Sequence, residues 1–127
     1  MTTIDCLKNV FINDLFNISG RCSRKEFWVS YFLFFPIGLL IVFFFSYIGF
    51  LISDNFGNII GDITSNILLI WSYVAIFTSS IRRSHDIGKS GWYMLIPIYN
   101  SFLLLRSSQQ NENDWGSPKP HSIRGVV

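Results

Sequence analysis

From Phe27 to Ser53 the chain carries no Asp, Glu, Lys or Arg, and the centre of that run reads FLFFPIGLLIVFFFSYIGFLI. A helix needs about 20 predominantly apolar residues to cross a hydrocarbon layer roughly 30 Å thick, so the run predicts a spanning helix with length to spare for tilt. Nothing else restricts the fold so strongly. The run lacks the period-two alternation of a barrel wall, and an open sheet could not satisfy its backbone in lipid. Composition points the same way. Only 14% of the residues are charged and 50% are hydrophobic, against about a quarter charged in soluble domains. Thirteen Phe among 127 residues are more than a soluble domain of this size can readily bury.

Two further runs follow. Ile63 to Ile81, ITSNILLIWSYVAIFTSSI, is uncharged and long enough for a second crossing. Trp92 to Leu105 is a third, of about 14 residues, in the range where a re-entrant or buried helix competes with a true span. It crosses if Arg106 snorkels and Ser107 and Ser108 join the helix. The expected fold is therefore all-α: an integral membrane helical bundle with three transmembrane helices, the third short, preceded by an amphipathic helix. The divisions are an interfacial segment over 1–22, the bundle over 23–106 with spans at about 27–53, 63–81 and 91–107, and an irregular tail over 107–127. The first apolar run starts after residue 26 and is too long for the core of a signal peptide, so the first helix is expected to stay in the mature chain.

Orientation follows from the basic residues. Lys8, Arg21, Arg24 and Lys25 precede the first span, the loop from Asp54 to Asp62 has two Asp and no Lys or Arg, and the next loop has Arg82, Arg83 and Lys89. The positive-inside rule places the N-terminus and the second loop in the cytoplasm. Three full spans put the tail outside, whereas its Arg106, Lys119 and Arg124 favour inside, so its side stays open.

In the N-terminal segment Ile4, Leu7, Phe11, Leu15 and Ile18 recur at helical spacing, a face suited either to the membrane interface or to packing on the end of the bundle. Gly20 is expected to stop this helix. Ser23 and Glu26 form a capping box for the first span, and Trp28 falls where an interfacial anchor belongs. In the second span Ala75 and Ser79 allow close helix approach. In the third, Pro97 removes a backbone donor, and the Asn100 amide needs a partner from a neighbouring helix. No carboxylate, Lys, Arg or His lies inside any run, which argues against a proton-coupled carrier or a voltage sensor.

The polar residues gather between the second and third runs, in Arg82-Arg83-Ser84-His85-Asp86-Ile87-Gly88-Lys89-Ser90-Gly91-Trp92. Arginines at a helix C-terminus complement its dipole and can hold lipid phosphates bidentately. Asp86 can pair with either Arg or cap the next helix, and Gly88 and Gly91 permit a tight reversal. The candidate lipid or partner contacts are thus Arg82, Arg83, His85, Asp86, Lys89 and Trp92, with Arg21, Arg24 and Lys25 as an interfacial basic cluster. Gly88-Lys89-Ser90 resembles the end of a P-loop, but Arg83 stands where that motif needs Gly, and no strand precedes it. His85 and Asp86 have no nucleophile at a recognisable spacing, and His121 lies in the tail. One His and one Asp supply too few ligands for a metal site. Cys6 and Cys22 fall on the predicted cytoplasmic side and are expected as free thiols. A net charge of +2 from juxtamembrane residues suits anionic lipid, not nucleic acid.

Four blocks resemble one family. They are Gly20-Arg21-x-Ser23-Arg24-Lys25-Glu26-Phe27-Trp28, then Arg82-Arg83-x-His85-Asp86-x-Gly88-Lys89-Ser90-Gly91-Trp92, then Ile96-Pro97-Ile98-Tyr99-Asn100, then Glu112-Asn113-x-Trp115-Gly116. In this order they resemble the bacterial inner-membrane family called domain of unknown function 805. That family usually has Leu where Ser84 stands and Tyr where Trp115 stands, and its Pro after Trp-Gly appears here out of step as Pro118 and Pro120. The resemblance implies a bacterial inner-membrane location and a compact helical unit, and brings no reaction, substrate or cofactor. The expectation is a multi-pass, non-enzymatic component without cofactor or metal, contacting anionic headgroups, a membrane protein partner or further copies of itself. The alternatives are an oligomeric transport or channel component lined by Asn100 and the Ser face of the second span, and a lipid-directed enzyme using His85 and Asp86.

Overall fold

The computed structural model describes residues 2–119, except for the side chains of Asn100 and Leu103. Helix α1 covers Thr3–Lys8 and runs on as a π-helical turn over Asn9–Asn13; α2 covers Arg24–Phe50 and α3 covers Asp54–Asp86. A 3-10 turn over Gly91–Leu95 then leads to α4, Pro97–Leu105. At 1.5 Å per residue the 27 residues of α2 and the 33 of α3 reach about 40 and 50 Å, enough to cross a bilayer. Only 6% of the most apolar window of each is buried within the chain. The core helix of a soluble protein would be mostly buried, so the remaining apolar surface calls for lipid.

Local chemistry sets the helix ends. Ser23 Oγ accepts from Glu26 N at 3.2 Å and Glu26 Oε2 accepts from Ser23 N at 3.4 Å, the expected capping box. Ser53 Oγ accepts from Phe56 N at 3.2 Å and starts α3 only three residues after α2 ends. The expected loop over 54–62 is therefore the first turns of α3. Charge marks where an apolar run meets water, whereas capping marks where a helix begins, and here the two differ by about two turns. At the other end Gly88 has φ +76°, and its N–H donates to His85 O at 3.0 Å while Lys89 N donates to Ser84 O at 3.0 Å. This pair of bonds is a Schellman motif, which needs the left-handed residue that Gly supplies.

The antiparallel helices meet closely near the hairpin, where a Cβ on Gly49 would stand 2.9 Å from Gly57 Cα and one on Gly61 would stand 2.5 Å from Ser46 Oγ. Towards the other end the N-terminal segment packs against them. Val10, Phe11, Cys22, Phe27 and Ala75 form the core there, with Leu7, Leu15, Trp28, Phe34 and Leu104 around it. Of the predicted apolar stripe, Leu7, Phe11 and Leu15 face this core while Ile4 and Ile18 remain exposed. The stripe thus packs on the end of the bundle, and its helical part stops at Asn13, well before Gly20.

The third run does not form a single helix. Its nine-residue α4 is about 14 Å long, under half the hydrocarbon thickness, because Pro97 starts a new helix after the 3-10 turn. Among the described residues two helices, not three, are long and apolar enough to span. The hairpin brings the N-terminal segment and the tail to one end of the molecule. Residues 107–119 form no helix or strand beyond one bridge between Asn113 and Gly116. His121 and Arg124 lie outside the described residues.

Candidate functional site

The end of α3 opposite the hairpin carries the charge. α3 is over 10 residues longer than a crossing needs, so its last turns extend past the hydrocarbon with a polar set of side chains. Thr78, Ser79, Ser80, Arg82, Arg83, Ser84, His85 and Asp86 are all buried there. Asp86 anchors the set. Its Oδ1 accepts from Arg21 Nε at 3.0 Å, and its Oδ2 accepts a very short bond from Arg83 Nη1. All three side chains are essentially inaccessible.

Arg21 spends its remaining donors on the tail. Nη2 donates to Asp86 O at 3.1 Å and Gln109 O at 2.6 Å, and Nη1 donates to Asn111 O at 2.9 Å and Gly116 O at 3.2 Å. Arg83 adds a bond from Nη2 to Arg106 O and one from Nη1 to Ser108 Oγ at 3.4 Å. Gly116, at φ +109°, turns its carbonyl back towards Arg21, a conformation that side-chain-bearing residues rarely adopt. Two guanidinium groups thus share one carboxylate. Backbone carbonyls and the negative end of the α3 dipole take up the rest of their charge. Arg82 points the other way, donating to Asp14 Oδ2 at 3.0 Å and Asp14 O at 3.4 Å. Among the described residues the Nε atoms of Arg82 and Arg83 have no hydrogen-bond partner.

His85 lies flat on Trp115, with centroids 4.6 Å apart and planes at 5°. Its Nδ1 is 3.1 Å from Gly20 O, a contact that requires the proton on Nδ1 because a carbonyl can only accept. Asn113 Nδ2 clips the tail to His85 O at 2.9 Å and to Gln109 Oε1 at 2.8 Å. A second buried acid, Glu26, accepts from Asn9 Nδ2 at 3.1 Å, and Ser30 Oγ donates to Cys6 O at 2.7 Å, tying α1 to α2. Cys6 and Cys22 are free and buried. Burial and the nearby Glu26 carboxylate raise both thiol pKa values.

The predicted contact residues therefore divide. Arg82, Arg83, His85, Asp86 and Arg21 are drawn together inside the protein and face neither lipid nor solvent, because long side chains near a helix end found carboxylates and carbonyls within the chain. Arg24, Lys25 and Trp92 are exposed and Lys89 is half-buried. Lys89 Nζ lies 5.7 Å from the centre of the Tyr93 ring. Both oxygens of Asp86 are taken by arginines, and the His85 ring is stacked against Trp115. Among the described residues no three His, Cys, Asp or Glu are grouped as metal ligands. Sequence reasoning missed Asp14, Gln109, Asn111 and the packing role of Trp115. For the first three the only signal is a polar side chain in a loop; for Trp115 and Gly116 it is their place in the last of the four blocks.

Fold and site together define a small membrane-associated helical protein: a two-helix hairpin closed at one end by a cap that buried arginines hold together. Residues 15–117 match the family described as Protein of unknown function (DUF805), and the chain belongs to it. No curated protein and no solved structure matches the chain.

Proposed function

We propose that this chain is a non-enzymatic interaction component of a bacterial inner membrane, anchored by two crossings and resting its cytoplasmic cap on anionic lipid headgroups. The observation that carries this reading is charge placement across the hairpin. Arg24, Lys25, Lys89 and Arg106 belong to the capped end, whereas the hairpin end carries Asp54 and Asp62 and no Lys or Arg. The positive-inside rule then sets the cap, the N-terminal segment and the tail in the cytoplasm, against a leaflet rich in anionic lipid. With Arg21, Arg82 and Arg83 used internally, the contact falls to Arg24, Lys25, Lys89 and the exposed Trp92, whose ring suits the headgroup level.

Reconstitution tests this. In nanodiscs containing phosphatidylglycerol the protein unfolds at a higher temperature than in phosphatidylcholine alone, and an R24Q/K25Q/K89Q variant loses most of the difference. Equal stability of the unaltered protein in the two lipids refutes the reading. The alternative of an oligomeric pore has less support. Ser65, Ser72 and Ser79 each return their hydroxyl to a carbonyl of α3 at 2.7–3.1 Å, and Ser79 is buried. The Asn100 side chain lies outside the described ones.

A further inference from the structure

The two spans touch at the hairpin end and are held apart at the capped end by the N-terminal segment. Phe11 stacks on Phe34 of α2 at 4.1 Å, and its carbonyl accepts from Trp71 Nε1 of α3 at 2.9 Å. Below this wedge a groove of about 520 Å³ opens between the helices, walled chiefly by Tyr31, Phe32, Phe35, Leu39, Leu68 and Leu69. Its size is that of a small-molecule site. Of the three hydroxyl-bearing side chains that line it, Ser65 and Ser72 donate to α3 carbonyls, which leaves Tyr31; the rest of the wall is apolar, so it suits an occupant that is mostly hydrocarbon.

Phe32 also borders a second groove, of about 480 Å³, with Arg24, Lys25, Trp28 and Leu105. Neither Arg24 nor Lys25 forms an ion pair among the described residues. Both sit in the first turn of α2, where the helix dipole disfavours cations and welcomes an anion. Trp28 is fixed by its Nε1 bond to Leu104 O at 3.1 Å and stacks at 5.7 Å on Phe32, the residue that the two grooves share.

Positions 24, 28, 32, 35 and 39 lie along one stripe of α2. From Trp28 to Leu39 the stripe runs about 16 Å at 1.5 Å per residue, half of a hydrocarbon layer roughly 30 Å thick. It is cationic at the mouth, aromatic at headgroup depth and apolar down to the midplane. The geometry points to a bound anionic diacyl phospholipid of the cytoplasmic leaflet, its phosphate held by Arg24 and Lys25 and one acyl chain lying past Phe32 in the α2–α3 groove. This rests on the membrane orientation proposed above and goes further, since it assigns a discrete site of one lipid per chain.

Native mass spectrometry of the full chain in mild detergent, with added dioleoyl phosphatidylglycerol or phosphatidylcholine, tests it. One phosphatidylglycerol is retained per chain, at least tenfold in preference to phosphatidylcholine. R24Q/K25Q, which alters two exposed side chains, brings the preference to within about twofold. S72F fills the groove and abolishes retention; if it does not fold, R24Q/K25Q decides alone. Equal retention of the two lipids, or unchanged preference in R24Q/K25Q, overturns the assignment. So does a lipid-free dimer, which gives the groove to a second copy. Stabilisation by phosphatidylglycerol in nanodiscs with no retained lipid overturns this site while leaving the broader headgroup reading intact.

Discussion

Replacing Arg21 by Ala removes the side chain that ties the tail to the end of α3. The change deletes the 3.0 Å ion pair to Asp86 and the donors to Gln109, Asn111 and Gly116 carbonyls. Removing one partner of a buried ion pair costs about 3–5 kcal/mol. Arg83 still neutralises Asp86, so the low end, ~3 kcal/mol, is the appropriate figure. That corresponds to about a hundredfold increase in the population of tail-released molecules, at 1.4 kcal/mol per tenfold. Arg106 reports it directly, because its carbonyl is held by Arg83 and the next peptide bond leads into the tail. Trypsin cleavage after Arg106, followed by mass spectrometry on the reconstituted protein, tracks the open population when reclosing outpaces cleavage. A rate within threefold of the unaltered protein refutes the claim that Arg21 latches the tail.

Other outcomes follow from single contacts. G49A places a methyl group 2.9 Å from the Gly57 backbone and should cost about 1–3 kcal/mol by overpacking, whereas G38A, whose Cβ would come no nearer than 4.0 Å to Leu68, should be close to neutral; thermal unfolding of the pair in one detergent checks this. Trp115→Ala removes the His85 stack, worth about 0.5–1.5 kcal/mol beyond area, and should speed the same cleavage after Arg106 by roughly threefold to tenfold. Cys6 and Cys22, buried and with raised thiol pKa values, should resist maleimide until denaturant opens the cap. Since the unfolded chain loses these protons first, above about pH 8.5, while the folded chain keeps them, stability should fall as pH rises past that point. A C6S/C22S variant should flatten the decline.

Much of this architecture could be read along the chain because lipid imposes a composition rule that local sequence obeys. The two spans, the Ser23–Glu26 cap and the reversal at Gly88 each depend on residues within a few positions of one another. Other elements could not be read that way. The run from Trp92 to Leu105 has the composition of a span, yet a proline and a 3-10 turn divide it. The segment 54–62 has the charge of a loop, yet Ser53 caps it into α3.

The site shows the same division more sharply. Arg82-Arg83-x-His85-Asp86 was identifiable as the polar centre of the molecule from its density alone. Its direction was not, since arginines beside a membrane can reach headgroups or turn inward, and the choice depends on which acceptors lie within about 3 Å. Those acceptors are carbonyls of Gln109, Asn111 and Gly116 and the carboxylate of Asp14, which are 68 to 95 positions away along the chain from the arginine each one meets. Sequence by itself determined that the runs from Phe27 and from Ile63 are long and apolar enough to span, because hydrophobic length is a local property; it also predicted a third span that the structure does not form. Only the tertiary structure decided that Arg21, Arg82, Arg83 and Asp86 bind the cap together while Arg24, Lys25 and Trp92 stay exposed and Lys89 half-buried, because pairing of buried charges depends on contacts between distant segments.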